Sequence, residues 1–297
     1  MKQIAIGFRQ IDYLIAIAEE GSTAAAARVL NVSQPSVSIA LAQVEAHFGQ
    51  PLFVRRLGQG MEPTAFGRSK IAGFRVLRKM ATETIEDTER RVILGVFETL
   101  GPRFAPALIR EYAAREPEVE IQLREGNLGR LFEDLATGRI DLALIYSFPV
   151  ARELEIVPLR EVRPFGLVPA GHRLAGSGTA SVADLLRDPL ILMNLPHSRD
   201  YFLSLAQMHG VIPRIRHETA SVEMARAMVA NGLGVSLLAT DIAHTMSHDG
   251  RQVSRVQLDG PMPPHGIAIA RSPDFPLTEP CSKFLDFAKL WFSGEAC

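Results

Sequence analysis

The sequence predicts an α/β protein carrying an all-α head. Three observations lead there. Apolar residues recur at helical spacing through the first 90 residues. From Val92 onward, short β-rich apolar runs alternate with amphipathic stretches. A length of 297 residues also exceeds one small core, at a prior of about 150 residues per domain.

In the head, Ile11, Leu14, Ile15 and Ala18 share one helical face. Gly21 ends that helix, because glycine accepts the left-handed terminal conformation without a Cβ clash. Ser22 or Thr23 caps a second short helix, TAAAARVL, whose alanines permit close helix contact. Asn31-Val32-Ser33 forms a tight turn. Ser33 caps a third helix, and Pro35 falls in its first turn, where no N–H is needed. Val37, Leu41, Val44 and Phe48 line one face of it up to Gly49. A short helix, a tight turn and a second helix make the helix-turn-helix pattern. PLFVRRLGQGMEPT suits a loop or small wing. Thr64 then opens a long helix to about Arg91, with Ile71, Phe74, Leu77, Ala81 and Ile85 spaced by three or four. So narrow a seam either packs on its own domain or pairs with a second copy, and pairing is the expectation.

In the body, RVILGVF reads as a buried strand, PALIREYAARE as a helix and EVEIQLREG as a strand. NLGRLFEDLATG follows as a helix ended by Gly138, and IDLALIYS as a buried strand. That β-α-β-α-β order implies a parallel sheet covered on both faces. The chain crosses into a second such unit around Val162–Pro164. FGLVPAG, PLILMN, IRHETA and GVSLLA are its strands; SVADLLR, RDYFLSLAQMHG, SVEMARAMVANG and TDIAHTMSH are its helices. HGIAIARS returns to the first unit, and CSKFLDFAKLWF closes it as a helix. Two lobes joined by two crossings make a hinged cleft. The expected domains are 6–64 for the head, 65–91 for the linker helix and 92–297 for the body. One lobe spans about 92–163 and 264–297, the other 164–263.

Net charge is −1, which argues against a uniformly basic coat. The charge is nevertheless divided. Residues 1–80 hold ten Lys/Arg against five Asp/Glu, a net +5, so the remainder carries −6. A basic head on an acidic body suits a module that meets a polyanion. No apolar run approaches the ~20 residues that span a bilayer. Arg9, Asp12 and Glu19 interrupt a secretory hydrophobic stretch, so a cytoplasmic protein is expected. Cys281 and Cys297 make no disulfide framework.

The run GSTAAAARVLNVSQPSVSIALAQVEAHFGQPLFVRRLGQGMEPTAFG resembles the winged helix-turn-helix of LysR-type transcriptional regulators. The resemblance rests on Gly21-Ser22, Ala26-Ala27, Leu30, Val32-Ser33-Gln34-Pro35, Ser38, Glu45, Gly49, Pro51-Leu52-Phe53, Arg55, Thr64 and Gly67. LATGRIDLALI and VANGLGVSLLA are similar to that family's two-lobed effector domain, itself like type 2 periplasmic binding proteins. The likeness covers essentially the whole chain. It implies a non-enzymatic, cofactor-free regulator that binds double-stranded DNA and a small-molecule effector. It also implies a homodimer or homotetramer, with RNA polymerase as a further partner.

The implied DNA contacts are Ser22, Thr23, Arg28, Ser33, Gln34, Pro35, Ser36, Ser38, Ile39, Arg55, Arg56 and Thr64. Gln34 has the two amide atoms that pair with an adenine edge, and Pro35 suits a thymine methyl. The short Ser33, Ser36 and Ser38 allow close backbone approach; Ser33 and Ser36 equally suit plain helix capping. Relatives place basic residues just after the Ser38 position, where this chain has Ile39, Ala40, Ala42 and Gln43. The phosphate grip therefore passes to Arg28, Arg55, Arg56, Arg68 and Lys70.

Ligands of parallel α/β lobes bind at strand carboxyl ends. That points to Thr99 and Leu100 after the first strand, and to Gly126 and Asn127 after the second. His197, Ser198 and Arg199 would close from the other lobe, with Arg199 gripping a carboxylate. An organic or aromatic acid is the expected ligand. Thr99 and Asn127 also fit plain caps, and Arg199 also fits a surface ion pair with Asp200 or a neighbouring acid. His244 and His248 have metal-ligand spacing on the expected helix but no third ligand. Gly232-Leu-Gly234 reads as a helix-to-strand turn. The HSRD run lacks converging triad geometry, and a thiol switch is not expected from Cys281 and Cys297. A regulator without a small-molecule ligand, a solute-binding protein and a two-lobed enzyme are the alternative functions.

Overall fold

A computed structural model describes residues 5–56, 60–86, 90–147, 154–239 and 244–294, without the side chains of Arg56, Glu83 and Glu86. The chain divides into two compact units. One holds Met1–Arg90, Ala136–Arg139 and Asp274–Pro276; the other holds Arg91–Leu135, Ile140–Pro273 and Leu277–Cys297.

The first unit begins with helices α1 (Phe8–Glu20), α2 (Thr23–Val29) and α3 (Gln34–Phe48). Gly21 and Gly49 end α1 and α3 in the left-handed conformation, each at φ 68°. The Ser22 hydroxyl accepts the Ala25 N–H at 3.1 Å, and the Ser33 hydroxyl accepts the Ser36 N–H at 3.3 Å. Both are N-caps, each satisfying one donor that the helix itself leaves unpaired. Ile11, Leu14, Ile15, Val37, Leu41 and Val44 form the core between the helices.

The expected wing is an antiparallel hairpin of β1 (Phe53–Arg56) and β2 (Gly60–Pro63). Four hydrogen bonds attach it. Glu45 on α3 accepts the N–H groups of Leu52 (2.6 Å) and Phe53 (3.2 Å) through one carboxylate oxygen. The Leu52 carbonyl accepts the Thr64 N–H at 2.9 Å. The Met61 N–H donates to the Gly21 carbonyl at 2.6 Å, where a Cβ on Gly60 would also intrude.

The long helix α4 runs Ala65–Glu86. It stops short of the expected Arg91, which opens strand β3 (Arg91–Phe97) and pairs with a neighbouring strand there. Ile71 and Phe74 are buried in the head's core, whereas Leu77, Met80 and Ile85 are exposed. The seam therefore serves its own domain in its first half only.

The second unit holds two sheets. The first has the order β4 (Glu120–Gly126), β3, β5 (Leu142–Tyr146), β13 (Gly266–Arg271), β6 (Glu155–Glu161). β3 is parallel to both neighbours, as expected, but β13 and β6 add antiparallel pairs. The all-parallel reading is corrected accordingly. Helices α5 (Gly101–Arg115) and α6 (Leu128–Ala136) follow β3 and β4.

The second sheet has the order β10 (Ile215–Thr219), β9 (Leu190–Met193), β11 (Val235–Leu238), β7 (Phe165–Pro169), β12 (Val253–Asp259), β8 (Thr179–Ser181). Strands β6, β8 and β12 were not expected. β6 contains Pro158 and lies at the sheet edge, where a missing N–H is tolerated. α7 (Val182–Leu185), α8 (Ser198–Met208) and α9 (Val222–Ala230) belong to this lobe; α10 (Glu279–Ser293) closes the chain.

The helix expected over 240–248 is corrected where the chain is described. Residues 240–243 lie outside the described residues, and 244–248 are not helical. Buried Arg226 on α9 donates to the carbonyls of His244 (2.8 Å) and Met246 (2.7 Å), which a helix would have turned to its own N–H groups.

The tightest approach in the head is at Gly67, where a Cβ would overlap the Leu52 carbonyl oxygen. Gly67→Ala should therefore destabilise the head by roughly 3 kcal/mol, the upper range for overpacking. Gly73→Ala on the same helix meets nothing within 4 Å and should be neutral to stabilising. Urea melts of the two variants check this.

Candidate nucleic-acid interface and ligand cleft

The first turn of α3 presents Gln34, Pro35 and Ser36 to solvent, and Ile39 is 58% exposed one turn later. Ser38 is half-buried between this face and the core. The Ser33 and Ser36 hydroxyls stand 2.7 Å apart. In that pair one hydroxyl donates to the other, so one O–H stays available to an outside acceptor. Capping and contact are thus compatible at these positions.

Basic groups flank the same helix. Arg28 at the end of α2 and Arg55 on β1 are exposed. Arg56 ends β1, with its side chain outside the described residues. Arg68 donates to the Pro63 carbonyl at 2.8 Å. Lys70 lies 5.2 Å from the ring centres of both Phe48 and Phe66.

Two expected contact residues are less available in this structure. Thr23 is only 8% exposed. The Thr64 hydroxyl is consumed internally, donating to the Pro51 carbonyl at 2.9 Å and accepting the Gly67 N–H at 2.9 Å. Ser22 keeps a half-exposed position, although its oxygen caps α2.

The expected ligand residues are brought together only in part. Thr99 and Ser198 line one cavity with Tyr146, Tyr201, Met193 and His265. His197 lines a wider adjoining recess of about 520 Å³ that shares Tyr201. Leu100 belongs to a third cavity. Asn127 caps α6, its side-chain oxygen accepting the Arg130 N–H at 3.0 Å, and Gly126 gives its carbonyl to the Glu98 N–H at 3.2 Å. Arg199 pairs with Glu218 at 3.5 Å. Neither Gly126, Asn127 nor Arg199 lines the cavity of Thr99 and Ser198.

That cavity is organised by three rings absent from the sequence reading. The His265 ring stacks on Tyr146 (centroids 4.6 Å, 24°) and on Tyr201 (4.2 Å, 25°). Tyr146 ends β5 in the first lobe, Tyr201 lies on α8 in the second, and His265 precedes β13 on the chain between them. The Tyr201 hydroxyl donates to the Pro263 carbonyl at 3.2 Å. Burial pushes that phenol up to about 12, so it stays protonated. With the rings in place the cavity measures about 20 Å³, room for roughly one water.

Residues 86–293 match the profile of the LysR substrate binding domain, and residues 8–68 match that of the lysR family of bacterial regulatory helix-turn-helix proteins. The chain is similar to the HTH-type transcriptional regulator AlsR of Bacillus subtilis (strain 168), 26% identical over 264 residues, covering 84% of this chain and 87% of the relative. It is also similar to OxyR of Escherichia coli (strain K12), 26% identical over 280 residues, covering 92% and 91%. Among solved structures, the PA01 protein of Pseudomonas aeruginosa superposes with a TM-score of 0.67 at 35% identity, covering 97% of this chain and 99% of that one. HinK from the same organism superposes at 0.66 with 34% identity and the same coverage.

His265 is 8% exposed, and burial lowers its pKa from 6.5 to about 4. The unfolded chain takes up this proton near pH 6.5, while the folded chain resists until about pH 4. The stability that neutral His265 contributes is present above pH 6.5 and is lost as pH falls through that window, by roughly 3 kcal/mol. His265→Phe keeps a ring and removes the titration. Its melting temperature should fall less than the parent's between pH 7.5 and 4.5; parallel curves would refute the assignment.

Proposed function

The chain belongs to the LysR family of transcriptional regulators, and from that premise we propose how its residues divide the work. The head binds double-stranded DNA, with α3 in the major groove. Gln34 reads a base edge, and Pro35 and Ile39 supply apolar contacts. Arg28, Arg55 and Arg56 hold phosphates, with Arg68 and Lys70 adding charge. Ser22, Ser33, Ser36 and Ser38 let the backbone approach. The observation that carries this reading is the exposed first turn of α3 together with exposed Arg28 and Arg55, in a segment of net +5. Thr23 and Thr64 act instead through their buried or capping positions.

One helix-turn-helix covers little DNA, and two linked copies make the second encounter intramolecular. The exposed Leu77, Met80 and Ile85 on α4 support pairing of two chains along that helix. A homodimer or homotetramer acting in the cytoplasm is the assembly we infer, with 6–64, 65–91 and 92–297 as its functional segments. Ligand binding in the body would change the spacing of paired heads on DNA and so polymerase access, a coupling typically worth about 1–3 kcal/mol.

The ligand seat we infer is the cavity of Thr99 and Ser198, with His197 at its outer recess. The hydroxyls suit a carboxylate, and Tyr146, Tyr201 and His265 suit a flat ring. An organic or aromatic acid fits both. The 20 Å³ volume means that the ring stack must part for such a molecule to enter. The same closure favours, as the second reading, a regulator that responds without a ligand.

Two experiments test these readings. In a salt titration against DNA flanking its own gene and against scrambled DNA, Arg55→Ala should weaken binding to both alike and flatten the log–log salt slope by about 0.9. Gln34→Ala should relax preference at one base position, at a cost of roughly 1–3 kcal/mol. Identical behaviour of the two variants would refute the division. Benzoate or succinate at a hundredfold excess over Kd should add ~2.7 kcal/mol to stability. Thr99→Ala with Ser198→Ala should abolish that gain; an unchanged gain would place the ligand elsewhere, and no gain from any acid screened would favour the ligand-free reading.

A further inference from the structure

The third cavity of the effector unit, that of Leu100, measures about 160 Å³ and lies where the chain crosses from β6 to β7 and where α5 begins. Its lining holds four arginines, Arg103, Arg160, Arg163 and Arg255, against a single described carboxylate, Glu161. All four are exposed. Arg255 lies 4.3 Å from the Phe165 ring centre, and Arg103 lies 5.2 Å from that of Phe104. Among the described residues, no ion pair joins Arg103, Arg160 or Arg163 to a carboxylate. This concentration sits in the acidic part of the chain, outside the basic head.

Like charges gathered around one concavity repel, and a guanidinium carries planar donors suited to carboxylate or phosphate. A monocarboxylate would leave most of that charge uncompensated. A molecule with two or more anionic groups would balance it. The volume matches the ~150 Å³ that houses a single small ring, so a compact anion fits and a duplex does not enter.

We propose that this arginine-lined cavity binds a small multiply charged anion, bearing phosphoryl or carboxylate groups, at a site separate from the Thr99–Ser198 cavity. The two cavities share Tyr146 and Ala239. Occupancy of one therefore meets the ring that closes the other. The site does not depend on the ligand proposed above, because its lining contains neither Thr99 nor Ser198.

The test is a thermal-shift titration of the full chain with inorganic pyrophosphate and with citrate, at constant ionic strength set by sodium chloride. At ten times Kd, the bound anion should raise Tm by about 3–6 °C and saturate. A response to pyrophosphate alone assigns phosphoryl groups, and a response to citrate alone assigns carboxylates. Arg160→Gln/Arg163→Gln should weaken Kd at least tenfold. Arg124→Gln/Arg214→Gln, which removes two exposed arginines elsewhere in the same unit, should leave it unchanged. Thr99→Ala should also leave it unchanged, which separates failure here from failure of the acid-binding cleft. The proposal is overturned if neither anion exceeds the chloride baseline, or if both double variants weaken binding equally. It is also overturned if Arg160→Gln/Arg163→Gln flattens the salt dependence of DNA binding, which would make these arginines a DNA contact.

Discussion

The head depends on the close backbone approach at Leu52. Its N–H is held by Glu45 from α3, and its carbonyl takes the Thr64 N–H against the bare Cα of Gly67. One residue thereby joins α3, the wing and the long helix. A hydrogen bond to a charged group is worth about twice a neutral one, and this carboxylate satisfies two N–H groups that the turn would otherwise leave open. An apolar core alone would allow the hairpin to slide, since hydrophobic contact is non-directional.

The body is held on a different principle. Each lobe has its own sheet, and the ring stack of Tyr146, His265 and Tyr201 reaches from one to the other. Aromatic pairs add about 0.5–1.5 kcal/mol beyond area burial, enough to bias an arrangement and small enough for a ligand to displace. A narrow cavity of about 20 Å³ and two neighbouring recesses lie around this stack. Burial at this position favours the neutral form of His265.

Several features were legible because they are local. Caps at Ser22 and Ser33, stops at Gly21 and Gly49, and the buried runs RVILGVF and LALIY need only near neighbours to be recognised. The second half of strand β12 carried the alternation that could have revealed it: Val256 and Leu258 are buried between the exposed Arg255, Gln257 and Asp259. β6 hid behind Pro158, and β8 is only three residues long. The expected ligand residues fall in several places. Asn127 and Arg199 have the right chemistry and approximate position, but a cap and an ion pair claim them first.

From its order of residues alone, the chain determined its helical head, its two α/β lobes and the family to which it belongs, since periodicity, capping and short motifs act over a few residues. Only the three-dimensional arrangement decided which hydroxyls were already spent, as at Thr64, and which rings met, since positions 146, 201 and 265 share no pattern in one dimension. The same holds for the four arginines. Separated by up to 152 positions, they become a single concentration of charge when β6, α5 and β12 fold to a common cavity, because Coulomb energy follows distance in space and ignores distance along the chain.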